Sequence, residues 1–525
     1  MFWADSIAAE ILERYREALK GKMPLIVRDE KTASGRVHIG SMRGVAVHGI
    51  VADILKSHGV DLKFLYEIND FDPMDGIPAN LPESEWKQYL GLPLNKVPSP
   101  APGAKNFAEY YAAEFMRIIT ESGFTPEFYR ASELYESGNM NEVIRLALDR
   151  ADAIRRIYLE VSGSQKPEVW LPISIICSDC GKIGTTQAFR WNGEQVEYRC
   201  TKGPGGAEGC GHEGKRSPFD GNAKLPWKVE WPAKWKVVGV QVEGAGKDHS
   251  TKGGARDVAN HIAREVFSVD TPHDIPYEFF LVGGEKMSSS KGKGSSAAEV
   301  AALVPPSIIR LALLGTLPHR AINFDPAGET VPTWFDWHDK IAEKYWDTVG
   351  DDDARLFELI YHHQPPLKQF LPRFSSVAFV VQMQHLNIHM EFEKMKGGPL
   401  TAEESATLSE RAKYAVQWLK EHAPERYRFT LHLDTIPESA RTLSHDQKTA
   451  LKQLLAFVDM HKDLEGQVLH TAIHEIRKTT GIDPKLFFSA IYLIFLGRDS
   501  GPQAGWFLST LDRSFLIKRL QEAIV

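Results

Sequence analysis

Leu25-Ile-Val, Lys31-Thr-Ala-Ser-Gly-Arg-Val-His38-Ile-Gly40-Ser41, MRGVAVHGIVADILKSHG (residues 42–59) and Leu62-Lys-Phe-Leu-Tyr-Glu-Ile68 follow one another along the chain, and this run decides the fold. The first piece reads as a short buried strand and the second as a polar loop of small residues. The third has helical periodicity and stops at Gly59, a residue suited to a left-handed helix cap. The fourth is a second strand. Strand, loop, helix and strand within about forty residues form a βαβ unit, which requires a parallel sheet and a right-handed crossover.

Residues 5–20, N-terminal to this unit, place Ile7, Ile11, Leu12 and Leu19 at helical spacing and predict an amphipathic helix. On its other side, Pro and Gly cluster over 73–103, residues 106–162 read as helical, and 171–220 is rich in Cys and Gly. Strand signals return at Lys236-Val-Val-Gly-Val-Gln-Val242 and at Phe279-Phe-Leu-Val282. The prediction is an α/β domain split by an insertion: 1–105 as its first half, 106–220 as the inserted domain, 221–300 as its second half. Helical patterns fill the remainder, with a connecting region at 301–365 and an all-α domain at 366–525 that includes helices near 403–422, 446–462 and 467–478.

Composition narrows the class. With 525 residues, 43% hydrophobic and 25% charged, the chain matches an ordinary globular protein of about three or four domains. The 62 basic and 69 acidic side chains leave a net charge of −7, so a polyanionic partner must be met by a local basic surface. The longest apolar stretch, Leu486 to Leu496, is too short to span a bilayer. The opening Met1-Phe-Trp-Ala-Asp lacks a basic region followed by an apolar one, so no secretory signal is expected. The expectation is a cytoplasmic protein without membrane attachment.

The loop Thr32-Ala-Ser34-Gly35-Arg-Val-His38-Ile-Gly40-Ser41 leads into a helix N-terminus, where unpaired N–H groups and the dipole suit a phosphate chain. Gly35 and Gly40 allow close backbone approach, and His38 can donate to a phosphate oxygen. A second glycine-flanked loop, Gly283-Gly-Glu-Lys286-Met287-Ser288-Ser289-Ser290-Lys291-Gly-Lys-Gly294, follows the strand FFLV with three lysines and three hydroxyls. Taken singly, the first is an unremarkable His-x-Gly and the second a basic linker. Between them Gly246-Lys-Asp248-His249 follows VVGVQV, at the strand edge where α/β sheets bind ligands; Asp248 is either a ligand there or a helix cap.

All four cysteines fall in one stretch, as Cys177-Ser-Asp-Cys180 and Cys200-x9-Cys210, followed by His212. Two pairs about twenty residues apart have the spacing of a tetrahedral zinc ribbon, and four thiolates leave no open position, so one structural Zn²⁺ is expected. The second pair is wide, and His212 is an alternative to Cys210.

Taken together, His38-Ile-Gly40-Ser41 and Lys286-Met-Ser-Ser-Ser290, some 250 residues apart across a split α/β domain, resemble the HIGH and KMSKS signatures of class I aminoacyl-tRNA synthetases. Longer stretches are similar to class I lysyl-tRNA synthetases: Tyr129-Arg-Ala-Ser-Glu-Leu-Tyr-Glu-Ser-Gly, Gly221-Asn-Ala-Lys-Leu-Pro-Trp-Lys-Val-Glu-Trp-Pro-Ala-Lys-Trp, Tyr277 through Gly292, and Leu493-Ile-Phe-Leu-Gly-Arg-Asp-Ser-Gly-Pro. The resemblance implies a Rossmann-type sheet split by a zinc-bearing insertion and followed by a helix-cage anticodon domain. It implies ATP-dependent attachment of lysine to tRNA(Lys), with Mg²⁺ accompanying ATP, on a monomer. His38, Gly40 and Ser41 would hold the phosphates, with Ser34 and Gly35 beside them. Lys286 and Lys291 would neutralise pyrophosphate, helped by Met287, Ser288, Ser289 and Ser290. Gly246, Asp248 and His249 would take the ribose side of ATP.

The same resemblance lines the lysine pocket with Thr32, Trp227, Gln241, His249 and Tyr277, and leaves Glu243 or Glu278 to meet the ammonium. Trp231 and Trp235 read as core. Lys413, Trp418, Lys420, Arg426 and Arg428 are candidates for the anticodon. Four positions depart from the family pattern: Glu30 for glycine, Ala33 for proline, Ser41 for asparagine and Gly44 for glutamate. Residues 95–110 contain no histidine, so no second metal is expected. The rival readings are a sister enzyme for another amino acid such as glutamate, which would need a cationic pocket, and a non-catalytic RNA-binding paralogue, which would have no use for His38 and the complete lysine loop.

Overall fold

The structure, a computed structural model, describes residues 1–286, 296–347, 350–383, 385–462 and 464–525, with Glu285 and Lys286 described by their backbone. It divides into two compact units, residues 1–325 with 340–367, and residues 326–339 with 368–525.

The first unit is built on a parallel sheet. Strand β1 (Leu25–Thr32) pairs in register with β2 (Leu62–Asn69), Leu25 opposite Leu62 and Thr32 opposite Asn69, and β2 pairs with β3 (Glu127–Arg130). On the far side of β1, Val27 bridges Val242 and Val242 bridges His273, both parallel. The spatial order is therefore β3, β2, β1, the 242 segment, the 273 segment. Helix α1 (Trp3–Arg14) packs on α2 (Met42–Ser57), the crossover between β1 and β2. Almost every residue of α2 from Met42 to Leu55 is buried, because Gly44, Ala46, Gly49 and Ala52 let neighbours approach. A Cβ on Gly49 would lie 2.6 Å from a ring carbon of Phe124. Gly59 closes the helix at φ +80°, as its position implies.

Three local readings differ from the sequence expectation. Strand β1 continues through Arg28, Asp29, Glu30 and Lys31 to Thr32, although a run of four charges is a poor signal for a buried strand. Strand β3 lies inside the stretch expected to be wholly inserted, since Leu65–Ile68 pair with Glu127–Arg130. Lys236, Val237 and Val238 are helical, the last turns of α3 (Trp227–Val238), which ends at Gly239 with φ +75°. Only Gln241 and Val242 of that apolar run reach the sheet, and Val242 is fully buried.

The cysteine-rich stretch forms an antiparallel three-stranded sheet, Thr186–Trp191, Val196–Cys200 and Glu213–Arg216. The second unit holds the C-terminal helices, among them Ala402–Glu421, His445–Met460, Gly466–Thr480, Pro484–Leu496 and Arg513–Ile524. Thr401 with Glu404, and Ser444 with Gln447, form reciprocal capping boxes that fix where two of them start. Among the described residues no single helix is long and apolar enough to cross a membrane.

Candidate active site

The charged half of β1 is tolerable because each charge is met. Arg28 is sealed from solvent and donates to Glu243 at 2.5 Å, to Glu67 at 2.8 Å, to Glu30 at 2.5 Å and to the Tyr129 hydroxyl at 2.7 Å. Lys234 of α3 reaches Glu67, Glu230 at 3.1 Å and Glu30 at 3.5 Å. Lys224 faces Glu230 at 2.5 Å and Asp72 at 2.9 Å. Five carboxylates share three cations, an arrangement that stabilises little in itself but is costly to break. Burial would raise the Glu30 carboxyl; Lys234 and Arg28 outweigh it and hold the group down to about 2. For Glu243 burial prevails over Arg28 and raises it.

Above this cluster, at the C-terminal ends of the strands, a cleft of about 400 Å³ opens. Thr32, Ser34, His38, Gly40, Ser41, Trp227, Glu243, Gly246, Asp248, His249 and Tyr277 all line it. Trp227 stacks on Trp231 with centroids 5.6 Å apart and meets His249 edge-on at 4.9 Å, giving one aromatic wall. The other is Tyr277, fixed by a backbone bridge to Gly246; burial pushes its phenol well above the ordinary range, and Asp29 adds to the shift, so it stays a neutral hydroxyl. Among the described residues, five carboxylates and one lysine line the cleft: Asp29, Glu30, Glu243, Asp248 and Glu278 against Lys31. The first signature loop lines it through Ser34, His38, Gly40 and Ser41. The second leaves from Glu285–Lys286, whose backbone pairs with Leu281 and Val282, and the chain returns at Ser296, which bridges His38; Ala297 N–H donates to Val37 O at 2.9 Å.

Residues 1–365 match the family model described as tRNA synthetases class I (K), and residues 382–524 match an anticodon binding domain. The chain belongs to the class I tRNA synthetases. It is 32% identical to the lysine–tRNA ligase of Methanosarcina barkeri strain Fusaro, over 99% of this chain and 97% of that one. It is 31% identical to the lysine–tRNA ligase of Pyrococcus horikoshii, over 99% of both chains, and 30% identical to that of Archaeoglobus fulgidus, over the full length of both.

Some of this synthetase's expected site residues lie elsewhere. Gln241 is not in the cleft. Its side-chain oxygen accepts the Ile26 N–H at 2.7 Å and its carbonyl accepts the Tyr15 hydroxyl at 2.6 Å, so it fastens the sheet. Gly35 is buried beside the loop, where an added Cβ would sit 3.5 Å from Pro78, and does not line the cleft. Glu243 does, but its two oxygens hold Arg28 and the Trp235 Nε1–H. Glu278 is drawn to Lys247. Met287, Ser288, Ser289, Ser290 and Lys291 lie outside the described residues, and Lys286 is placed by its backbone alone. Trp235 is core, whereas Trp231, nearly as buried, also edges the cleft. In the second unit Trp418 is buried with its Nε1–H on the Pro326 carbonyl, which removes it as a stacking platform, and Arg426 is paired with Glu329. Lys413, Lys420 and Arg428 are exposed. The cleft residues that sequence reasoning missed include Asp29, Lys31 and Tyr66. The signal for Asp29 and Lys31 was the charged run placed directly after an apolar strand, whereas Tyr66 sits on β2 with no such mark.

The cysteines of the synthetase come together as the spacing predicts. All four sulfurs lie within 4.8 Å of one another, and the Cys177–Cys210 and Cys180–Cys200 pairs are each 3.7 Å apart. A tetrahedron with Zn–S bonds of about 2.3 Å has edges of about 3.8 Å, so the donor set fits a thiolate-bound zinc. His212 is the weaker alternative: its Nε2 is 3.1 Å from the Ser178 hydroxyl, and it stands outside the sulfur cluster.

Proposed function

We propose that this synthetase joins lysine to tRNA(Lys) in two steps. A carboxylate oxygen of lysine attacks the α-phosphorus of ATP, the bond to pyrophosphate breaks, and lysyl-adenylate forms. The 2′-hydroxyl oxygen of the terminal tRNA adenosine then attacks the lysyl carbonyl, loses its proton, and AMP leaves. The observation that carries the substrate is the cleft wall between Trp227 and Tyr277, where, among the described residues, Asp29 and Asp248 remain acidic after Arg28 and Lys247 meet Glu30, Glu243 and Glu278. A cationic amino acid with an aliphatic stem suits that wall, and glutamate does not.

The roles follow from position. His38, Gly40 and Ser41 hold phosphate oxygens at the start of α2, with Ser34 beside them. Asp248 and the Gly246 backbone take the ribose, and His249 and Trp227 flank the lysine stem. Lys286 and Lys291 neutralise the departing pyrophosphate, and Met287 to Ser290 shape their loop. Positioning and charge neutralisation supply the catalysis, because no covalent enzyme intermediate is required. Mg²⁺ accompanies ATP and screens its phosphates. A single zinc on Cys177, Cys180, Cys200 and Cys210 braces the inserted sheet without entering the chemistry. The second unit reads the anticodon, and the enzyme works in the cytoplasm as a monomer.

Aminoacylation of total tRNA with each of the twenty amino acids tests the reading. Lysine alone should be attached. A different amino acid would overturn the pocket, and no charging by the folded protein would favour a paralogue without activity.

A further inference from the structure

Of the acidic groups in the cleft, three have their charge met by protein cations. Glu30 holds Arg28 with one oxygen and accepts the Trp227 Nε1–H with the other at 3.3 Å. Glu243 holds Arg28 and Trp235, and Glu278 holds Lys247. Asp29 differs. One of its oxygens accepts the Glu30 N–H at 2.8 Å. The other has His48 Nδ1 at 3.7 Å, but His48 Nε2 accepts the Gly244 N–H, which puts the ring proton on Nδ1, where it is donated to the Gly44 carbonyl at 2.8 Å. Among the described residues no lysine or arginine forms an ion pair with Asp29; Lys31, two places along the same strand face, feels its charge without closing an ion pair.

Position 44 supplies a second, independent observation. A Cβ built on Gly44 would lie 2.6 Å from Asp29 Oδ2 and 2.7 Å from the Tyr277 hydroxyl oxygen, closer than side-chain carbons approach their neighbours. The carboxylate and the hydroxyl thus converge on the space that a side chain at 44 would enter. Glycine there is not required by the backbone, since Gly44 lies within the regular helix α2. It is required by what crosses from β1.

We propose that Asp29, with the Tyr277 hydroxyl beside it, receives the side-chain ammonium of the amino-acid substrate, and that residue 44 is glycine so that this pair can form. The inference rests on the lysine reading and deepens it. The family pattern would place a glutamate on α2; here the counter-charge comes from the neighbouring strand. Glu30, which also departs from the pattern, belongs to the ionic cluster below and shapes the floor.

The test is lysine-dependent ATP–pyrophosphate exchange with the full-length chain. Asp29→Asn should raise KM for lysine about 30- to 100-fold, the range for loss of a charged hydrogen bond, with kcat little changed. Norleucine, which has lysine's stem without its ammonium, separates recognition from folding: the preference for lysine over norleucine should shrink by the same factor. An unchanged KM and preference in Asp29→Asn, with lysine still the substrate of the parent enzyme, would overturn the proposal and leave the lysine reading standing. Failure of the parent enzyme to activate lysine would remove both. Should Asp29→Asn not fold by thermal melting, Gly44→Ala carries the test. Its methyl enters the Asp29–Tyr277 space, so KM for lysine should rise about tenfold, and an unchanged KM would overturn the proposal.

Discussion

Arg28 Nη1 lies 2.5 Å from Glu243 Oε1 across two adjacent parallel segments, and neither side chain is appreciably exposed. The contact joins β1 to the segment that carries Gly246 and Asp248, so one guanidinium sets the spacing of the two walls of the cleft. The same guanidinium also satisfies Glu67 and Glu30. Removing it would leave Glu67 and Glu30 to Lys234 alone and, among the described residues, Glu243 without an ion pair.

Arg28→Met is therefore expected to destabilise the first unit by about 3–5 kcal/mol, the cost of stranding buried charge. Urea unfolding followed by tryptophan fluorescence measures it, since Trp227, Trp231 and Trp235 surround the cluster. A loss below about 1 kcal/mol would mean that the carboxylates protonate or hydrate at little cost.

Glu30 gives the cluster a pH signature. Its carboxyl is held down to about 2, well below an ordinary glutamate, so the folded state binds this proton less tightly than the unfolded state. A depressed acid contributes stability above its unfolded value, and that contribution fades as pH falls from about 4.5 towards 2. Glu30→Gln should be less stable than the parent near neutral pH, on the order of 2–3 kcal/mol, and the gap should narrow below pH 4. Paired unfolding curves at pH 7 and pH 3.5 would reveal it. A gap that stays constant across that range would show that Glu30 contributes through shape and hydrogen bonding, not through charge.

Much of the fold was legible because its signals are local. The βαβ unit, the stop at Gly59 and the C-terminal helices follow from periodicity and caps, and the four cysteines from spacing. What was not legible depends on partners distant in the chain. Nothing near Arg28-Asp-Glu-Lys31 says that Glu67, Glu243 and Lys234 will meet it and let a charged run continue a central strand. Nothing near Val237-Val238 says that Gly239 will end a helix there, since the same apolar letters suit either element. In the cleft, twelve of the expected residues converge, whereas Gln241 is diverted to the Ile26 amide by its place in the sheet. Asp29 was passed over because its meaning lies in the space above Gly44, which only packing reveals.

The sulfur cluster predicts a metal dependence confined to the inserted sheet. Elemental analysis of the purified chain should give about one zinc, lost in the Cys177→Ser, Cys180→Ser double variant. A structural zinc is a folding contribution, so the variant should melt earlier and become more susceptible to proteolysis within 171–220. Lysyl-adenylate formation should fall less than charging of tRNA, because the cleft residues are carried by the parallel sheet and not by the insertion. Equal losses in the two steps would assign the insertion a part in the adenylation site.

Lys286 is the last described residue before the second signature loop, and its backbone pairs with Leu281. The chain returns at Ser296, which bridges His38 of the cleft. In the proposed role, Lys286 acts most strongly when negative charge builds on the leaving pyrophosphate, which is a transition-state interaction more than a ground-state one. Lys286→Ala should therefore slow single-turnover adenylate formation by about 100-fold or more, with a smaller change in KM for ATP and tRNA affinity preserved in filter binding. Loss confined to ATP affinity would make Lys286 a docking group, and an unchanged rate would pass its role to Lys291 or Lys293 further along the loop.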